Sequence, residues 1–242
     1  SKLFIYAFDE LQPSRSHLVA DYPLIGTSAT AVIADNHKVL VANGEQGIVV
    51  VDGYLHSKLY QVDQLPLPNQ HFALDIVGHE LPHNNLVYYV ASGHYDYAQQ
   101  LVATGDVSSG GIYVLSNNAV DGFNTIANIP YPASKLVIEG DYLYAAAGEL
   151  GLLIIDVSQP TEPRLLTRID TLGAIHDVAI QGNLLYVALG DKGVTAIDVS
   201  RPSQPLVLES LQAQQGYATT QIITTPYSII GSGYTDLEGK SL

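Results

Sequence analysis

The chain alternates short runs rich in Val, Ile, Leu, Tyr and Ala with breaks made of Gly, Pro, Asn and Asp. The runs are too short and too β-branched for helices, and no stretch holds a 3.6-residue period, so they predict strands. They also recur in a fixed order. GLLIIDVSQPTEP spans Gly151 to Pro163, and GVTAIDVSRPSQP spans Gly193 to Pro205. Looser copies start at Gly47 (GIVVVDGYL) and Gly111 (GIYVLSNNAV), and KLFIYAFDE opens the chain from Lys2. Another run precedes each glycine, as in KVLVANGEQG, NLVYYVASG, DYLYAAAGELG and NLLYVALGDKG. A third lies upstream of that (TAVIAD, ALDIVG, KLVIEG, DVAIQG, TQIITT), and a fourth follows each turn (RLLTRID, LVLESL).

Four strand-like runs in a period of about 40–45 residues are the pattern of a β-propeller blade. The expected fold is all-β: one propeller domain over residues 1–242, with third-strand motifs starting near residues 2, 47, 111, 151 and 193. The wider gap from Gly47 to Gly111 holds an insertion at about 94–110. KLFIYAFD reads as a third strand and TPYSIIGSGY as a second leading toward a third. The terminal segments could therefore share one blade and close a ring of five; the alternative is a piece of a ring of six or seven. Sharing a blade would remove exposed sheet edges.

The run G-L-L-I-I-D-V-S-x-P-x-x-P, with D-V-A-I-x-G-N-L-L-Y-V-A ahead of the second copy, resembles the LVIVD-repeat family of β-propellers. The likeness is sharp from about Lys135 to Leu211 and looser elsewhere. It implies a propeller of surface or secreted bacterial and archaeal proteins and implies no reaction.

Composition narrows the partners. The net charge is −14 with only 14% charged residues, which disfavours nucleic acid, since phosphate binding needs a basic patch. No apolar run is long enough for a membrane span. With no cysteine, disulfides, iron–sulfur clusters and Cys-zinc sites are excluded. The chain opens Ser1-Lys2-Leu3 with no signal-like segment, which reads as a processed or excised product.

First strands line a propeller's channel. Aligning the repeats places Thr30/Ala31, Leu74/Asp75, Ser134/Lys135, His176/Asp177 and Thr220/Gln221 at equivalent points of its mouth. Asp75, Lys135, His176, Asp177 and Gln221 are therefore candidates for holding an ion or a polar ligand. The competing reading is that both aspartates bond neighbouring backbone or Lys135, because buried polar groups are paired. The second-to-third-strand loops share that face and carry Glu45, Asp96, Asp106, Glu149, Asp191, Asp236 and Glu238. Carboxylates suit Ca²⁺, with Asp106, Glu149 and Asp191 as candidates, although no D-x-D-x-D-G loop is present. No other cofactor is expected. The insertion, with His94, Tyr95, Asp96 and Tyr97, is the candidate partner-contact loop, because long loops on rigid scaffolds carry function and Tyr favours interfaces.

One stretch points elsewhere. His79-Glu80-Leu81-Pro82-His83 matches H-E-x-x-H, the zinc-protease motif, which needs a helix to bring both imidazoles to one metal. Pro82 breaks that helix, and HFALDIVG before it and NLVYYVASG after it read as strands, so HELPH is expected to be a hairpin turn. G-x-S-x-G and phosphate-binding glycine loops are absent. The reading is a non-catalytic interaction or structural module that is secreted, periplasmic or at the cell surface, with a protein partner or further copies of itself. The alternative is a propeller hydrolase, or a glycan-active or lectin-like protein, using the channel-mouth residues.

Overall fold

The glycines that open the repeat motifs end tight turns. In Gly44–Gly47, Gly148–Gly151 and Gly190–Gly193 the last N–H donates to the first carbonyl, at 3.0 Å in each case. Gly151 has φ +83, and a Cβ there would lie 2.2 Å from the Ile169 carbonyl oxygen, so only glycine fits. Each turn reverses the chain from a blade's second strand into its third.

The computed structural model describes residues 1–7, 14, 17–25, 29–35, 38–52, 59–82, 85–95, 101–102, 110–118, 122–170, 174–212, 221–225 and 228–232. The strands β1 (Lys2–Ala7) and β2 (His17–Pro23) form a two-stranded sheet. The first complete blade is β3 (Ala29–Asp35), β4 (Lys38–Asn43), β5 (Ile48–Asp52) and β6 (Tyr60–Leu65). In the second, β7 (Phe72–Leu81), β8 (Asn85–Tyr95), β10 (Ile112–Asn118) and β11 (Gly122–Ile129) make the blade, and β9 (Leu101–Val102) pairs with β8. The third holds β12 (Lys135–Glu139), β13 (Tyr142–Ala146), β14 (Leu152–Asp156) and β15 (Arg164–Ile169). The fourth holds β16 (Asp177–Gln181), β17 (Leu184–Ala188), β18 (Val194–Asp198) and β19 (Leu206–Leu211). Finally, β20 (Gln221–Thr225) and β21 (Ser228–Ser232) form a second two-stranded sheet.

This is the antiparallel, four-stranded-blade architecture that the repeats predict. By place in the repeat, β20 and β21 are first and second strands, and β1 and β2 are third and fourth. The β1–β2 pair packs on the first complete blade, with Leu3, Ala20 and Tyr22 against Val41 and Val49. The β20–β21 pair packs on the fourth, through Ile222 against Tyr186 and Ala188. A blade shared between the two pairs would join β21 to β1; among the described residues these strands are not paired.

Burial explains the composition of the runs. The third strands of the first and third blades are covered on both faces, so β5 and β14 are almost wholly apolar and buried, whereas β18 of the fourth alternates half-buried and buried residues. Outer strands face solvent on one side: β6 and β15 show the same alternation of exposed and half-buried residues. β19 departs from it, with all six residues exposed. A bulge recurs where third meets fourth strand, between Val50/Val51, Val114/Leu115, Ile154/Ile155 and Thr195/Ile197. Such bulges increase the local twist of a sheet.

The D-V-S-x-P motif is a turn that ends the third strand. The Ser158 N–H and hydroxyl donate to Asp156 Oδ1 at 3.0 and 2.6 Å, and the Ser200 N–H donates to Asp198 Oδ1 at 2.8 Å. Those bonds hold both carboxyls below their ordinary pKa.

Replacing Gly151 with Ala forces a strained φ and a backbone clash, and should cost about 2–3 kcal/mol in urea denaturation. Gly140→Ala, also at positive φ but with nothing within 4 Å of a new Cβ, should cost only about 1 kcal/mol. Equal losses would refute the close-approach account.

Candidate functional site

The first strands follow one another around the channel, β3 touching β7, β7 touching β12, β12 touching β16 and β16 touching β20. The five mouth positions are equivalent in register: Ala31 pairs with Ala42, Asp75 with Ala91, Lys135 with Ala146, Asp177 with Ala188 and Gln221 with Ser232.

The two aspartates reach across blade boundaries. Asp75 Oδ2 accepts the Leu136 N–H at 2.9 Å, and Lys135 Nζ lies 3.8 Å from Oδ1. Asp177 repeats the contact one blade on, accepting the Ile222 N–H at 2.8 Å through Oδ2 and the Val178 N–H at 2.9 Å through Oδ1. In the first blade the Thr30 hydroxyl donates to the Ala73 carbonyl at 3.1 Å. A side chain at the start of a first strand thus ties it to the next blade. Burial pushes the Asp75 carboxyl above its ordinary pKa; Lys135 and the N–H donors of Leu136 and Ile76 oppose the rise, and the Asp177 charge adds to it.

His176 precedes Asp177, with Nε2 3.2 Å from the place a Cβ on Gly190 would occupy. Desolvation lowers its pKa, while Glu149 and Asp191, from turns of adjacent blades, raise it. Two of the three calcium candidates therefore sit near His176; Asp106 lies outside the described residues. Among the described residues no group of three or more His, Cys, Asp or Glu could hold a metal ion. Gln221 starts β20, and its side chain is not among those described.

The insertion rises as a continuation of the second blade, with His94 opposite Val102 and Tyr95 opposite Leu101. Asp96, Tyr97 and the side chains of His94 and Tyr95 lie outside the described residues. Its base is clamped by the buried Ser92, whose hydroxyl donates to the Gly111 carbonyl at 2.8 Å and accepts the Gly111 N–H at 3.1 Å.

His79, Glu80 and Leu81 are the last residues of β7, β8 begins at Asn85, and His83 lies outside the described residues. The zinc motif needs its first three residues on a helix, and here they lie in a strand, whose side chains alternate between faces. His79 lies inside the strand at 7% exposure, its Nε2 3.8 Å from Asp141 Oδ1 and its ring 6.3 Å from that of Tyr89. His79 Nδ1 and the Tyr89 hydroxyl are both buried without a hydrogen-bond partner among the described residues. Burial lowers the His79 pKa against the pull of Asp141.

One site escaped the sequence reading. The second position of each third strand faces the preceding blade, and it is Val49, Tyr113, Leu153 or Thr195. Their fourth-strand partners are Gln64, Asn128, Arg168 and Ser210. In the last pair both side chains are short, and their hydroxyls hydrogen-bond at 2.8 Å. A cavity of about 540 Å³ opens there between the third and fourth blades. The buried Leu189 and Ile197 and the half-exposed Val207 supply its apolar lining, while the exposed Asp170, Asp191, Lys192 and Gln212 stand at its rim. Comparing the repeats column by column for side-chain volume would have exposed it.

Asp75→Asn keeps an acceptor for Leu136 and removes a buried charge, so it should leave stability at neutral pH unchanged or raised. Asp75→Ala strands that N–H and should cost about 1–3 kcal/mol. The raised folded pKa means the native state binds this proton more tightly. Wild-type stability relative to Asp75→Asn should therefore rise as pH falls through the folded value toward 3.8. For His79 the sign is opposite. Its lowered folded pKa makes its contribution complete above 6.5 and lost as pH falls through the folded value, so His79→Leu should flatten the acid-side decline seen in thermal melts.

The model of the LVIVD repeat matches residues 132–171 and 172–212. No curated protein matches the chain. Solved structures share the fold at low identity. A putative 6-phosphogluconolactonase from Bacteroides fragilis aligns at TM-score 0.69 and 13% identity, over 95% of this chain and 69% of its own. A functionally unknown protein from Desulfotomaculum acetoxidans aligns at 0.62 and 13%, over 88% of this chain and 63% of its own. BamB from Moraxella catarrhalis aligns at 0.62 and 14%, over 89% of this chain and 57% of its own. The chain thus spans 57 to 69% of the length of these structures. Residues 132–212 thus match the LVIVD-repeat model twice in tandem, within a chain of β-propeller-like fold.

Proposed function

We propose that this chain is a non-catalytic interaction or structural module that docks a protein partner, or further copies of itself, within a periplasmic, secreted or cell-surface assembly. The outer strand β19 carries the reading. Leu206, Val207, Leu208 and Leu211 are 61, 50, 45 and 63% exposed, on a strand whose one charge is Glu209. An exposed apolar outer strand is a template for β-augmentation, and soluble proteins blunt such edges with charge when nothing covers them. The acidic turns at Glu45, Glu149 and Asp191 give the mouth face a charge that favours a basic partner. The LVIVD repeats and the likeness to BamB are compatible with life outside the cytoplasm.

A hydrolase or glycan-binding site at the channel mouth is the weaker reading. Asp75 and Asp177 each commit an oxygen to the backbone of the next blade, which limits their freedom as acid and base. The module needs no cofactor, and calcium held by Glu149 and Asp191 would show as a lowered melting temperature on chelation.

Leu206→Lys with Leu208→Lys should leave the circular dichroism and melting temperature unchanged. Native mass spectrometry of the assembly purified from its source should show the complex reduced to the single chain, and cell fractionation should find it outside the cytoplasm. An unaltered complex would sink the β19 interface.

A further inference from the structure

We propose that the cavity between the third and fourth blades binds a neutral sugar, of mono- to disaccharide size, distinct from any protein docked on β19. Its volume of about 540 Å³ falls within the roughly 300–1,000 Å³ of small-molecule sites. The cavity follows from a change in the repeat. In the third blade the equivalent positions are Leu153, which fills the interface, and Arg168. Thr195 and Ser210 leave that volume empty and put two hydroxyls in its place.

The chemistry of the lining selects the ligand. Among the described residues, charge at the rim is balanced. Arg168 Nε holds Asp170 Oδ1 at 2.8 Å and its NH2 group reaches Oδ2 at 3.3 Å. Lys192 stands beside Asp191 on the same turn. An anion or a cation therefore meets no net opposite charge, and burying an uncompensated charge is costly. What the rim does offer is a mixture: carboxylate oxygens that accept, an ammonium that donates, and an amide and two hydroxyls that do both. A ring of hydroxyls, each both donor and acceptor, matches that mixture. The apolar lining of Leu189, Ile197 and Val207 is aliphatic and suits the C–H face of a pyranose. A ligand that is polar at its edge and apolar on one face satisfies both parts.

The test is a calorimetric and NMR titration of the full chain with neutral disaccharides (maltose, cellobiose, lactose and N,N′-diacetylchitobiose). Glucuronic acid and glucosamine serve as charged controls. At least one neutral sugar should saturate. Thr195→Leu with Ser210→Arg, which installs the third blade's own pair, should fold and abolish that binding. Should the filled variant fail to fold, Asp191→Asn with Gln212→Ala alters only exposed rim residues and should weaken binding about tenfold or more. Absence of saturation by every neutral probe, binding by the charged controls alone, or unchanged affinity in the rim variant overturns the proposal. The β19 variant should bind the sugar as the wild type does, so the two readings fail separately.

Discussion

A third strand buried on both faces cannot be satisfied by its own blade. Leu152–Asp156 packs Leu153 and Ile155 against the second blade, and Leu152 and Ile154 against the fourth. Each blade therefore borrows half its core from each neighbour, as in other repeat architectures. Everything else follows from keeping those faces in register. The glycine turns reverse the chain in the least space, and the Asp-Val-Ser turn ends the strand before it leaves the interface. The bulge at the third-to-fourth strand step adds the twist that neighbouring blades must share.

The polar residues of the channel mouth belong to the same constraint. First strands join the interface through apolar residues such as Ile76, Leu136 and Val178, and side-chain hydrogen bonds at their starts tie them together as well: Asp75 to Leu136, Asp177 to Ile222 and Thr30 to Ala73. The carboxylates that looked most available for chemistry hold adjacent blades in register. Where the packing relaxes, other features emerge. Thr195 and Ser210 leave a cavity. β19 lies beside a two-stranded sheet of first and second strands, with no third or fourth strand paired there among the described residues, and it is left exposed. His79 and Tyr89 carry polar atoms with no partner among the described residues at the second-to-third blade boundary, close to Asp141.

Much of the fold could be read before any coordinate was known. The four runs per repeat, the glycine starts and the hairpin at HELPH all rest on local chemistry: period-two burial, positive φ and the missing N–H of proline. The equivalence of Ala31, Asp75, Lys135, Asp177 and Gln221 also came from alignment alone. The direction of their side chains did not. That Asp75 reaches Leu136, 61 residues away, depends on how two blades are set against each other. The strand at HELPH likewise runs further than its pattern suggests, placing His79 inside it, because Tyr89 and the third blade cover that end.

The sequence by itself determined the repeat, the strand order within each blade and the positions that must be glycine, because these depend on residues close together along the chain. The tertiary structure decided which polar groups are spent on holding blades together, where an interface is left unfilled and which outer strand stays bare. Those outcomes depend on volumes and hydrogen bonds summed across two blades, and a difference in one cross-strand pair, Leu153 and Arg168 against Thr195 and Ser210, separates a sealed interface from a cavity.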